Sequence, residues 1–252
     1  MFRYAGLVDI GVHEDHNDDR ALIDGRVLAD GKAEGSTDSS VFHAAVCDGV
    51  GGAKQGARAA QLTAEKLGTL DAENAGIPEI KNLIEKINLE LLEIQNAEGT
   101  DGELITTVAG MVANGDGLIV YNAGDSRVYR QRGRFIRLLS KDHSYVQLMV
   151  DMGKLDAGDA KFHPKRNIIN KCIGYEIKAA PRVVEFDDLL AGDVIMLCSD
   201  GISDVLEDKE ISEMISQHTD LAECCGALRD AAVSKGSFDN MTVLLVRKEG
   251  AE

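Results

Sequence analysis

Residues 77–95, IPEIKNLIEKINLELLEIQ, place apolar side chains at 77, 80, 84, 87, 91 and 94, the spacing of one face of an α-helix. Pro78 stands where a first helical turn tolerates it. A second helix is expected over 53–69, directly after a glycine cluster. Between 105 and 138 the period shortens. ITTVAGMVAN, a Gly-Asp-Gly turn, LIVYNAG and SRVYRQRGRFIRLL read as strands and hairpins in quick succession. Apolar runs at 41–47, 182–187, 193–199 and 240–247 predict further strands, with helices near 144–152, 207–217 and 219–234. Strand mostly follows strand, so the sheets should be largely antiparallel, with helices packed outside them. Residues 153–181 have few apolar anchors and read as an irregular insertion, either a lid or a long loop.

Composition narrows this picture without completing it. The 252 residues contain no repeat, no low-complexity tract and only three prolines, so one domain spanning 1–252 is expected. The net charge of −16 argues against a nucleic-acid surface and fits either ordinary solubility or an acidic cluster that holds cations. The five cysteines form no CxxC and suit a reducing compartment, with structural roles for all of them. No run approaches a membrane span and the N-terminus shows no signal-peptide pattern, so a cytoplasmic protein is expected.

The chemistry begins with the Asp-Gly pairs at 24, 30, 48, 101, 116 and 200. Asp-Gly is a common turn dipeptide. Only two of the six follow a long apolar run, in AAVCDG at Asp48 and VIMLCSDG at Asp200. Two more acidic points lie at strand boundaries: Asn17-Asp18-Asp19, and Asp239 within Phe238-Asp239-Asn240. If these boundaries converge, four or five carboxylates meet, and carboxylates that close cannot all stay ionised unaided. Divalent cations resolve the repulsion. A set of hard oxygen ligands without His or Cys points to Mg²⁺ or Mn²⁺ rather than Zn²⁺. Gly49 could offer its carbonyl to an ion, and Gly51 and Gly52 would let the chain turn beside it.

The ordered set NDD, CDGVGG, TTVAGMV, NAGDSRVY, KDHS, CSDGISD and FDNMTVLLV resembles the metal-dependent protein phosphatases, the PPM or PP2C-like group, and the compact bacterial type above all. The resemblance runs from about residue 4 to 247. It implies an α+β fold, a β-sandwich of two mainly antiparallel sheets flanked by helices. It also implies a Mg²⁺/Mn²⁺-dependent phosphoserine/phosphothreonine phosphatase that hydrolyses through a metal-activated water. Carried over residue by residue, Asp48 matches the carboxylate bridging two ions and Gly49 the carbonyl ligand. Asp200 and Asp239 match ligands of one ion, and Asp18 takes the place of an acid on the other. Asp19 matches the residue that orients water, so Asp19 and Asp48 are the catalytic candidates. Asp125 matches a ligand of a third ion found in bacterial members. Residues 145–181 correspond to a flap beside the site. The implied partners are phosphorylated proteins made by a cognate Ser/Thr kinase, acted on by a monomer, with no nucleic acid or membrane involved.

Two positions depart from the family. Glu14 stands where members usually carry an Arg that grips the substrate phosphate, and His13 or Arg20 could partly compensate. Val50 stands where eukaryotic members have a His thought to protonate the leaving group, although bacterial members commonly have an apolar residue there. Glu14 also keeps open a non-enzymatic alternative, a weakened relative acting as a phosphoprotein-binding module. Asp142, His143 and Ser144 are adjacent in sequence, so their side chains diverge and do not make a triad. The run GVGGAKQG fits neither common phosphate-loop pattern.

Overall fold

The computed structural model describes residues 1–51 and 53–250, so the turn role expected of Gly52 lies outside the described residues. In chain order the strands are β1 (Phe2–Asp9), β2 (Arg20–Ile23), β3 (Arg26–Leu28), β4 (Gly31–Thr37) and β5 (Val41–Cys47). Helices α1 (Gly56–Leu67) and α2 (Ile77–Glu98) follow, then β6 (Val108–Asn114), β7 (Gly117–Ala123), β8 (Arg127–Arg132) and β9 (Phe135–Leu138). After α3 (Tyr145–Asp151) and a 3-10 helix (Ala157–Phe162) come β10 (Arg182–Phe186) and β11 (Val194–Cys198). The chain closes with α4 (Asp200–Ser203), α5 (Asp208–Gln217), α6 (Leu221–Ser234) and β12 (Met241–Lys248).

The strands form two six-stranded sheets, ordered β4-β1-β12-β11-β8-β9 and β10-β7-β6-β5-β2-β3, and the strand pairs are antiparallel. Both faces of the central strands are covered. In β12, Leu244 and Val246 enter the layer between the sheets, where Phe42, Val46, Met111 and Val120 meet them. Their neighbours Val243 and Leu245 point outward into the layer under α5 and α6, against Ile211, Leu228 and Cys225. On the other side, Ala45 and Cys47 of β5 pack against Ala60 and Ala64 of α1 and Ile84 of α2. Double coverage explains why MTVLLV and VFHAAVC read as continuous apolar runs. All five cysteines are free and buried.

Strands β2 to β4 were not anticipated. β3 and β4 are sheet edges, and most of GKAEGST is exposed, so no alternation of burial is imprinted on those residues. The β2–β3 hairpin turns on Asp24 and Gly25, both at positive φ, the two-residue geometry that twisted strands favour. The segment 153–181 is anchored at its return. Cys172, Ile173 and Ala179 are buried. Asn88 and Gln95 of α2 clasp that return stretch: Asn88 accepts from the Gly174 N–H at 2.7 Å and Gln95 donates to the Gly174 carbonyl at 2.7 Å.

Candidate metal centre

Strand register alone gathers the acids. Arg20 pairs with Cys47, which sets Asp18 and Asp19 beside Asp48. Val46 pairs with Ala109 and Val108 with Ala123, so the end of β7, and Asp125 beyond it, lies at the same end of that sheet. In the other sheet Arg127 pairs with Cys198 and Cys198 with Val243, which aligns Asp125, Asp200 and Asp239. Residues 124–126 join β7 directly to β8 across the two sheets, so the two ends are one place. The remaining Asp-Gly pairs fall elsewhere; Asp24 and Asp116 sit in hairpin turns.

Each carboxylate is held by its backbone or by a fixed neighbour. Asp48 donates its N–H to Thr107 Oγ1 at 3.3 Å, and its carbonyl accepts from the Thr107 N–H at 2.7 Å and the Thr106 hydroxyl at 2.8 Å. Asp18 accepts from the Ala57 N–H at the start of α1 at 3.1 Å and donates its own N–H to Asn240 Oδ1 at 2.8 Å. Asn240 also donates to the carbonyls of Ile10 and His16, fastening the loop that carries Asp18. Asp19 is 1% exposed and accepts from the Ser199 hydroxyl at 2.7 Å. Gly49 is glycine for a packing reason rather than for a turn: a Cβ there would lie 2.4 Å from the Gly56 carbonyl carbon. Gly51 faces open space.

The electrostatics follow from that crowding. Burial, with the charges of Asp239 and Asp18 added, pushes Asp19 up to about 7 despite its hydrogen bond from Ser199. Burial also raises Asp48 and Asp200 well above the usual carboxylate range, and each feels Asp19, Asp125 and Asp239. Asp125 is pushed up to about 7 by burial, Asp142 and Asp204. Among the described residues no three His, Cys, Asp or Glu side chains already stand at ion-holding separation. The cluster therefore fits a hard divalent cation by donor type and charge rather than by ready-made coordination geometry. Six converging aspartates of a chain carrying −16 overall need countercharge that their protein neighbours do not supply.

Two neighbours and a cavity escaped the sequence reading. Asp204 lies four residues beyond Asp200 and its pKa is raised by burial, a spacing in CSDGISD that could have revealed it. Arg127 makes a two-pronged pair with Asp142, 2.6 Å at its shortest, and donates to the Tyr129 hydroxyl at 3.0 Å. Beside Asp125 and Arg127 opens a cavity of about 300 Å³, lined also by Val146, Val150, Arg166 and Asp204. The segment Asp142-His143-Ser144 divides its tasks as expected: Asp142 holds Arg127, His143 accepts from the Gly124 N–H at 3.3 Å, and Ser144 caps α3 through Gln147.

The departures resolve unequally. Glu14 is exposed in the loop before Asp18. Arg20 is committed to the carbonyls of Asn17 and Asp19 and to Gln61, so the compensating role considered for it is corrected to that of a brace. His13 stacks on Phe238, with ring centroids 4.6 Å apart. Val50 donates its N–H to the Ile105 carbonyl, and its side chain has no proton to give.

Comparison with known proteins agrees with this geometry. The family model for Protein phosphatase 2C matches residues 19–236. The serine/threonine phosphatase stp of Listeria monocytogenes serotype 4b (strain F2365) is 29% identical over 215 residues, covering 81% of this chain and 83% of its own. The serine/threonine phosphatase of S. agalactiae superposes with a TM-score of 0.84 at 28% identity, over 99% of this chain and all of that one. A structure of the catalytic domain of the phosphatase PstP in complex with two manganese ions superposes with a TM-score of 0.80 at 27% identity, over 99% of each chain.

Proposed function

The chain belongs to the protein phosphatase 2C family and is a metal-dependent protein serine/threonine phosphatase, and we propose that its two sheets hold a pair of Mg²⁺ or Mn²⁺ ions between Asp48, the Gly49 carbonyl, Asp18, Asp200 and Asp239. The observation that carries this reading is the meeting of aspartates from both sheets at one end, with Asp48 and Asp200 each raised by burial and by the charges of Asp19, Asp125 and Asp239. Asp125 and Asp204 border a further position, suited to a third and weaker ion.

When bound, the ions supply Lewis-acid polarisation of the phosphoryl oxygens and a water of lowered pKa. The protein's part is placement. Asp48 is fixed through its backbone to Thr106 and Thr107, so its carboxylate reaches toward both sheets. Asp18 is aimed by Ala57 and Asn240. Asp19, buried and steadied by Ser199, would orient the attacking water and accept its proton at the carboxylate. In hydrolysis the water oxygen would bond to phosphorus as the bond from phosphorus to the seryl or threonyl oxygen breaks, and that oxygen would take a proton from solvent water as the alcohol leaves. Glu14 contributes no cation to the phosphate.

Residues 1–252 form one catalytic domain in this reading, with 145–181 as a flap over the cavity beside Asp125. Substrates come from a Ser/Thr kinase, since only phosphoryl transfer to hydroxyls makes the ester that this site cleaves. Five free cysteines suit a reducing cytoplasm, and no helix among the described residues is long and apolar enough to cross a membrane. The non-enzymatic alternative is set aside, because a binding module has no need of the entire acidic set. Release of phosphate from p-nitrophenyl phosphate with Mn²⁺, abolished by EDTA, tests the reading. Mn²⁺ should also raise the melting temperature of chelated protein, and no shift together with no turnover would overturn it.

A further inference from the structure

Charge is distributed very unevenly along this chain. Residues 161–182 carry Lys161, Lys165, Arg166, Lys171, Lys178 and Arg182 against Glu176 alone, in a protein whose net charge is −16. Two of these cations have fixed partners: Lys161 pairs with Glu207, and Arg182 donates to the Leu139 carbonyl at 2.8 Å. The rest are loosely committed among the described residues. Lys165 lies over the Tyr145 ring, 5.0 Å from its centroid. Arg166 comes only to 3.9 Å of Asp204, and Lys171 donates at 3.3 Å to the Ala180 carbonyl.

Their placement is specific. The stretch from 165 to 171 runs beside 143–145, tied by the Asn170 N–H to the His143 carbonyl at 2.8 Å and by pairing of Ser144 with Ile169. His143 in turn receives the Gly124 N–H, one residue from Asp125. Arg166 lines the cavity that Asp125 also lines. The chain beyond Lys171 returns to α2, where Glu85 holds the N–H groups of Ala179 and Ala180. Phe162 and Ile168 stand exposed on the same stretch, 76% and 49%. A ridge of cations and apolar side chains thus borders one side of the acidic end.

We propose that this ridge, through Lys165, Arg166 and Lys171, docks an acidic flank of the phosphoprotein substrate, so that Asp and Glu near the phosphoserine or phosphothreonine are selected. The proposal rests on the phosphatase reading above. The chain carries −16 overall and Glu14 is exposed in the loop before Asp18, so neither net charge nor that loop attracts an anionic substrate. Screening confines charge effects to roughly 8 Å at physiological salt, so a local strip of cations decides where an anionic segment settles. The cations place the flank outside the acidic cleft and leave the phosphate to the bound ions.

Two phosphothreonine peptides that differ only in flanking Asp/Glu or Asn/Gln test this with the Mn²⁺-loaded protein. KM for the acidic peptide should be lower by about 5- to 20-fold at low salt, with kcat similar, and the gap should close as salt rises. Lys165→Ala with Lys171→Ala should remove most of the gap while KM for p-nitrophenyl phosphate stays unchanged, which also reports an intact fold. Equal KM for both peptides, or a double variant that keeps the preference, would each overturn the docking. Failure of the phosphatase reading looks different, since p-nitrophenyl phosphate would then go uncleaved. Fluorescence anisotropy with a labelled, unphosphorylated acidic peptide reads docking without turnover, and lysine-dependent binding there is the expected result. Lysine-dependent binding to anionic vesicles, or salt-sensitive dimerisation of the chain, in place of peptide binding would overturn the assignment of the occupant.

Discussion

The acidic end of the sandwich and the segment 153–181 lie side by side and are built in opposite ways. At the acidic end every carboxylate grows from a strand boundary whose register is fixed, and Asp18, Asp19 and Asp48 are braced by Asn240, Ser199 and Thr107. The neighbouring segment opens with a 3-10 helix that buries none of its residues, is fastened to 143–145 by Ile169 and Asn170, and ends at its return where α2 clasps Gly174. One region is acidic and framed, the other basic and exposed. Like charges must be held together against their own repulsion, which demands a frame that cannot relax. Recognition of a flexible partner needs cations within reach, and solvent-facing residues supply them without disturbing the core.

The comparison breaks most visibly at Asp48. Asp48→Asn should lower Mn²⁺-dependent turnover roughly a thousandfold or more, since the effect of paired cations amounts to several kcal/mol of barrier. The chelated protein should melt no lower than wild type, because one member of a mutually repelling cluster has been neutralised. A mutant retaining half the wild-type rate at saturating Mn²⁺ would remove Asp48 from the bridging role.

Gly49→Ala tests the frame itself. The new Cβ meets Gly56 backbone that has nowhere to go, so overpacking should cost about 1–3 kcal/mol and lower the melting temperature by roughly 3–10 °C. Gly51→Ala, with open space around it, and Phe162→Ala on the exposed segment should leave the melting temperature within a degree or so of wild type, roughly the scatter of surface substitutions. Equal loss in all three, followed by calorimetry, would dissolve the contrast between frame and segment.

His43 probes the strand that ends in Asp48. Burial against Tyr121, whose hydroxyl lies 2.7 Å from its Nε2, pushes this imidazole down to about 4 from 6.5. The folded protein therefore refuses a proton that the unfolded chain accepts below 6.5. Stability is full above pH 6.5 and falls as pH drops toward 4, by up to about 2 kcal/mol at pH 5. In His43→Gln the melting temperature should depend less on pH between 7 and 5, and an unchanged slope would assign that dependence to other groups.

The smallest effect is expected at Glu14. It is exposed, so Glu14→Arg restores a solvated cation where the family resemblance places a phosphate-gripping Arg, and KM for p-nitrophenyl phosphate should fall by about threefold, up to tenfold if the contact becomes two-pronged. Steady-state kinetics decide it; an unchanged or higher KM means that the phosphate is held without help from this loop.

Much of the frame is legible from periodicity, because burial on one or both faces imprints itself on consecutive residues. The helix expected over 77–95 and the strands expected over 105–138 follow from that alone, and Asp48 and Asp200 stand out because each interrupts a doubly buried strand at its end. The edge strands β3 and β4 carry no such imprint and became visible only when β2 and β1 paired with them. The sequence also determined which residue types could meet a hard cation, since their chemistry does not depend on position. What the tertiary structure decided are contacts between residues far apart in the chain: Asn240 on the Asp18 loop, Ser199 on Asp19, and Gln95 on Gly174. Local propensity and apolar spacing hold information about neighbours along the chain. A pairing across more than two hundred residues, such as 18 with 240, exists only once the sheets have closed, and its partners carry no mark of each other beforehand.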